Sequence, residues 1–161
     1  MAADPVQEAE LQAVVVSYYE AVAAGDAARI VSMFADDVPK GHQRHAVPSK
    51  YRRVATVEFP IAGPILEGTD AIKQYYEATF PAAGSSSAFE IVPAEFVVSV
   101  AHRTVAVAMS IHITDLKTHE TVVLEGGSQL FELNISRKIQ AMRASWAGSG
   151  AEQLPFPPAK L

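Results

Sequence analysis

Residues 104–114 read TVAVAMSIHIT. The run is rich in residues that favour a pleated, half-buried strand. Successive strand side chains point to opposite faces, so Val107, Met109 and Ile111 share one side. Ala106, Ala108, Ser110 and His112 share the other. Three similar runs flank it: FEIVPAEFVVSV at 89–100, ETVVLEGGSQLFEL at 120–133 and KIQAMRASWA at 138–147. Turns near 102, 116–118 and 134–137 separate them. Four long strands joined by short turns are expected to form a meander.

Working outward, the earlier part of the chain is mostly helical. Residues 7–24 place Leu11, Val14, Val15, Tyr18, Tyr19 and Val22 on one side at helical spacing. Gly25 is expected to cap this helix and Asp26 to start a second. The second runs to about Phe34, with Ile30, Val31 and Phe34 inward. VATVEFPI at 54–61 reads as a strand, Gly63 and Pro64 as a turn. A third helix, N-capped at Thr69, carries Ile72, Tyr75, Tyr76 and Phe80. Residues 82–87 are a loop of small residues. Three helices and then a run of strands give an α+β layer architecture. A curved, mostly antiparallel sheet packed on three N-terminal helices leaves an internal apolar pocket, a common place for a small ligand.

Two segments stand outside this pattern. Residues 38–53, VPKGHQRHAVPSKYRR, hold two prolines, His42, His45 and five of the chain's 13 Lys and Arg residues. They read as a surface insertion, or as a lid over the pocket. The tail at 148–161 is proline-rich and is expected to be extended. The rest, 1–147, is read as one domain, which suits a chain of 161 residues.

Bulk composition narrows the function classes. Apolar residues make up 49% and charged residues 19%, a globular balance. A net charge of −5 argues against a nucleic-acid partner bound through a broad basic face. Cysteine is absent, which removes disulfides, thiolate metal sites and a cysteine nucleophile. The start has no secretory signal pattern, and no apolar run approaches the roughly 20 residues of a membrane helix. A cytoplasmic protein with no membrane partner is expected. Neither a phosphate-binding glycine loop, a G-x-S-x-G elbow nor an H-E-x-x-H metal motif occurs. No cofactor and no metal are expected.

Four stretches carry a family resemblance: YYEAVAAGDAARIVSMFADD (18–37), ATVEFPIAGPILEGTDAIKQYY (55–76), VAVAMSIHI (105–113) and KIQAMRASW (138–146). They resemble the ketosteroid isomerases and their relatives of the cone-shaped fold. Those relatives include SnoaL-like polyketide cyclases, polyether epoxide hydrolases and nuclear transport factor 2. The resemblance implies a hydrophobic steroid- or polyketide-like substrate and a homodimer through the outer sheet face.

It also implies roles for residues. The isomerases polarise a carbonyl with a tyrosine and a protonated aspartic acid, while another aspartate moves the proton. The tyrosine falls on Tyr18 and a supporting tyrosine on Tyr76, with Tyr75 read as core or interface. The second donor position falls on Gln129, whose amide donates without needing a raised pKa. By alternation Gln129 shares a strand face with Gly127, Phe131 and Leu133. The base position is Phe59, which cannot take a proton, and the adjacent Glu58 is aimed at the opposite face. Possible substitutes are Glu67, His112, His42 and His45, although a lone strand histidine such as His112 is read as structural. Phe34, Phe59, Phe131, Met142, Ala144 and Trp146 are expected to line the pocket. The favoured expectation is isomerisation or cyclisation without the standard base. An epoxide-opening enzyme using Glu67 and a non-catalytic binding module are the alternatives.

Overall fold

The computed structural model describes residues 4–36, 54–58, 65–79 and 87–146. Phe59, Phe80, His42, His45, the turn at Gly63 and Pro64, the segment 38–53 and the tail 148–161 lie outside the described residues.

Helix α1 spans Pro5–Ala23 and α2 spans Ala27–Met33. Asp4 caps α1 by accepting from the Val6 amide at 3.0 Å, with Pro5 at the first helical position, where its missing N–H costs nothing. Three residues, Ala24, Gly25 and Asp26, join the two helices. Gly25, at φ 64°, donates to the Val22 carbonyl, and Asp26 donates to the Ala21 carbonyl. That pair of bonds closes α1 with a glycine in the left-handed region. The Asp26 carboxylate then accepts from the Arg29 amide at 2.9 Å and opens α2. Gly25 and Asp26 thus act as the sequence indicates.

The short strands β1 (Thr56–Glu58) and β2 (Ile65–Glu67) precede α3 (Thr69–Thr79). Thr69 lies inside α3 rather than capping it, because the Gly68 carbonyl already accepts from the Ile72 amide. Strands β3 (Ser87–Ser99), β4 (Thr104–Asp115), β5 (Thr121–Leu133) and β6 (Ile139–Trp146) follow. All join one sheet in the order β2-β1-β6-β5-β4-β3. Every neighbouring pair is antiparallel except β1 with β6. The fold is therefore α+β, with a mostly antiparallel sheet covered on one face by three helices.

Three strands carry one residue more than their partners. On β3 the pairing slips between Pro93 and Glu95. On β5, Met109 of β4 faces Gly127 and Ile111 faces Leu124, so Glu125 and Gly126 crowd into one place. On β6, Gln140 is the extra residue beside Glu132 and Leu133. Such bulges bend a strand and increase its twist. Gly126, at φ 81°, takes the left-handed conformation that the β5 bulge requires. The extra residue also resets alternation, so Leu124 and Gly127 are both buried although their numbers differ in parity. Pro93 is tolerated because β3 is an edge strand and the residue sits at its bulge.

The concave face carries the core. Val105, Val107, Met109 and Ile111 of β4 are buried there, against Leu11, Val15, Tyr18, Tyr19 and Val22 of α1. The helical spacing of those α1 positions places them on one stripe. Gly127 faces Trp146 across the β5–β6 pair. A methyl group added to Gly127 would strike the indole ring of Trp146 and lie 3.1 Å from Met109 Cε. Gly127 is therefore a space requirement. Substituting Gly127→Ala is expected to lower unfolding free energy by about 1–3 kcal/mol, as overpacking does. Urea denaturation followed by the fluorescence of the single tryptophan, Trp146, measures it. Wild-type stability would show that the indole has room to move.

Candidate active site: a tyrosine and glutamine cluster in an apolar cavity

A narrow cavity lies between helices and sheet; as the side chains stand, about 30 Å³ of it is open to a water-sized molecule. Tyr18 and Val22 enter it from α1, Tyr75 and Tyr76 from α3. Ile91 of β3 with Met109 and Ile111 of β4 form one wall. Val57 of β1, Gln129 of β5 with Met142 and Ala144 of β6 form the other. The β4 residues are the Val107 side of the strand; the opposite face, with His112, is the outer one. His112 bonds there to Ser110 Oγ at 3.2 Å.

The polar groups gather at one end. The hydroxyls of Tyr18 and Tyr76 are 2.6 Å apart and hydrogen-bonded, a contact that ties α1 to α3. The ring of Tyr76 stands edge-on to Tyr18 at 6.4 Å and to Tyr75 at 5.3 Å. Gln129 is 7% exposed. Its Nε2 donates to Met142 Sδ at 3.8 Å, and its side chain also hydrogen-bonds Tyr18. Its Oε1 is buried without a partner among the described residues. An unpaired buried amide oxygen costs about 1–3 kcal/mol.

The electrostatics favour donors over bases. Among the described residues, no Asp, Glu, His, Lys or Arg lines the cavity. Burial pushes the Tyr18 phenol up to about 12, against the opposing pull of its hydrogen bonds with Tyr76 and Gln129. Burial also raises the phenols of Tyr75 and Tyr76. A phenol held above its ordinary 10.0 stays protonated near neutral pH and can donate a hydrogen bond there. Among the described residues no group of three His, Cys, Asp or Glu is placed to hold a metal ion.

Several expected site residues come together and others do not. Tyr18, Tyr76, Gln129, Met142 and Ala144 all line the cavity. Phe131 does not; it is fully buried beneath the rings of Tyr18 and Tyr19, at 5.3 and 6.1 Å. Phe34 also lies behind the wall, its ring 6.5 Å from Tyr76. Trp146 shares the inward face but its indole is taken up covering Gly127. Glu67 ends β2 with its side chain exposed and is not among the cavity residues, because β2 is the far edge of the sheet. Glu58 faces outward, as alternation requires, with its carboxylate 3.5 Å from Arg143. Val22, Val57, Tyr75, Ile91, Met109 and Ile111 line the cavity without having been expected as site residues. The signal for the last two was present: they alternate with Ala108 and Ser110, and the larger apolar side of a half-covered strand turns inward.

The raised tyrosines set a sign for alkaline stability. Between pH 10.0 and about 12 the unfolded chain releases the Tyr18 proton while the folded chain keeps it. Stability is therefore full below pH 10.0 and falls as pH rises through about 12. Urea denaturation across this range is expected to show the fall, with a shallower slope in Tyr18→Phe. Equal slopes in both proteins would place Tyr18 in contact with solvent.

No family model matches the chain, and no curated protein matches it. Among solved structures, the chain is similar to SalBIII, an epoxide hydrolase/cyclase-like enzyme with a role in pyran ring formation in the polyether salinomycin. Identity is 24%, the match covers 87% of this chain and 92% of that one, and the TM-score is 0.63. The likeness establishes a shared fold: a curved, mostly antiparallel sheet over three helices.

Proposed function

We propose that the protein is an enzyme that cyclises or isomerises an apolar, oxygen-bearing molecule of polyketide-like character inside the cavity. The observation that carries this reading is the buried cluster of Tyr18, Tyr76 and Gln129 in a wall that is otherwise apolar and aromatic. Two oriented donors in a water-poor site stabilise negative charge developing on a substrate carbonyl or alkoxide oxygen. The apolar walls hold a flexible chain in a folded conformation, which lowers the barrier to ring closure without a strong base. A cyclisation or isomerisation conserves the substrate's atoms and consumes no co-reactant. The described role of SalBIII in pyran ring formation supports the cyclase form of this reading. The exposed position of Glu67 speaks against an acid–base pair built on that residue.

The test is conversion of a panel of linear epoxy-alcohols and unsaturated ketones, followed by mass spectrometry and chromatography of the products. Tyr18→Phe and Gln129→Leu are each expected to cut turnover by at least about tenfold with folding intact, since one lost oxyanion donor costs about that much or more. Undiminished turnover in both variants overturns the donor mechanism. Panel compounds held in native mass spectrometry without any conversion would instead favour a carrier.

We also propose a homodimer through the outer face of the sheet. Val97 of β3, Ala106 and Ala108 of β4, and Ser128 and Leu130 of β5 border a shallow apolar depression there, with Glu95 at its edge. Small side chains on a broad strand face let a second sheet approach closely. Sedimentation velocity is expected to show a dimer that Ala108→Arg converts to a monomer. A monomeric wild type overturns this.

A further inference from the structure

Three buried polar atoms lack partners among the described residues: Tyr19 Oη, Trp146 Nε1 and Gln129 Oε1. Gln129 is the one of these residues that lines the cavity. Its neighbours across the sheet are Val107 on β4 and Ala144 on β6, whose side chains have no hydrogen to donate. Val57, Met109 and Met142, on the same walls, have none either. The amide nitrogen donates to Met142 Sδ. The carbonyl end is thus left as an acceptor, at a wall position where the sheet offers it nothing.

We propose that the ligand itself supplies the missing donor: the cavity takes a hydroxyl-bearing, largely alicyclic or chain-folded molecule whose O–H is donated to Gln129 Oε1. The inference deepens the function proposed above and rests on the cavity being the working site. A ring-sized ligand requires the lining side chains to part, because the cavity as it stands has only about 30 Å³ open to a water-sized molecule. The last torsion of a glutamine is broad, so the carbonyl can turn toward the void while the rest of the side chain stays in its rotamer. A carbonyl can only accept. A ligand bearing ketones alone would leave it unpaired, and a site with a buried polar group selects against analogues that cannot pair it. A substrate hydroxyl held here sits beside the Tyr18 phenol, so one ligand oxygen is read as a donor near the place where another is read as an acceptor.

Cyclohexanol and cyclohexanone are suitable probes, because they share ring and oxygen placement and differ in the hydroxyl proton. Their affinities for the full chain are measured by ligand-observed NMR titration. The wild type is expected to bind the alcohol about fivefold more tightly than the ketone, the yield of one net hydrogen bond. In Gln129→Met, close in shape and without the carbonyl, the ratio is expected to fall to about one. Should Gln129→Met fail to fold, Gln129→Leu serves the same comparison. A ratio near one in the wild type, or an undiminished preference in the glutamine variants, overturns the inference and leaves the cavity reading standing. Failure of both rings to bind the wild type overturns the cavity reading, and the inference with it.

Discussion

The cavity depends on how the sheet bends. An untwisted sheet packed on three helices would fill its concave face with side chains from both layers. Here β3, β5 and β6 each carry a single extra residue, and each bulge turns its strand. The β5 bulge has a second effect. By shifting alternation at Gly126, it keeps Leu124 inward while Gly127, Gln129, Phe131 and Leu133 also face inward. Without that one residue, Leu124 and Gln129 could not both belong to the concave face, and the wall would lose either its apolar end or its amide.

Within that wall the protein tolerates a local electrostatic penalty. Gln129 breaks an apolar row between Val107 and Ala144, and one end of its amide has no partner among the described residues. The Tyr18 and Tyr76 hydroxyls avoid the same penalty by bonding to each other. Residues that satisfy one another stabilise the core, whereas a group left unsatisfied marks a place where folding and ligand recognition make different demands. The charged residues are handled differently. Glu58, Glu132 and Arg143 lie on the other side of the sheet as a partly exposed cluster, where solvent screens them.

Much of this was legible in the sequence. The spacing of Leu11, Val15, Tyr18, Tyr19 and Val22 marks one helix stripe, and the glycine followed by aspartate at 25–26 marks a stop and a start. Alternation separated Glu58 from the concave face and put Met142 and Ala144 on it. Gln129 stood out as a lone polar residue in an apolar alternation. What escaped reading was depth. Alternation tells which face a side chain is on, but not whether it meets empty space or another residue. Phe131 and Trp146 are on the inward face and are used up against Tyr18 and Gly127. Glu67 escaped for a different reason: its distance from the cavity follows from β2 being the last strand of the sheet, and strand order comes from pairings between distant segments.

The parallel pairing of β1 with β6 has a consequence for how the protein is made. Val57 meets Met142 only when two segments from distant parts of the chain are joined, and both residues form the same wall. β3, β4 and β5, by contrast, each pair with the strand next to them in sequence. Of the described strands β6 is the last in the chain, and without it β5 has an open edge and the β1–β2 pair is cut off from the rest of the sheet. Pairings of such long range form late and slowly. The cavity wall is therefore complete only once β1 and β6 have docked.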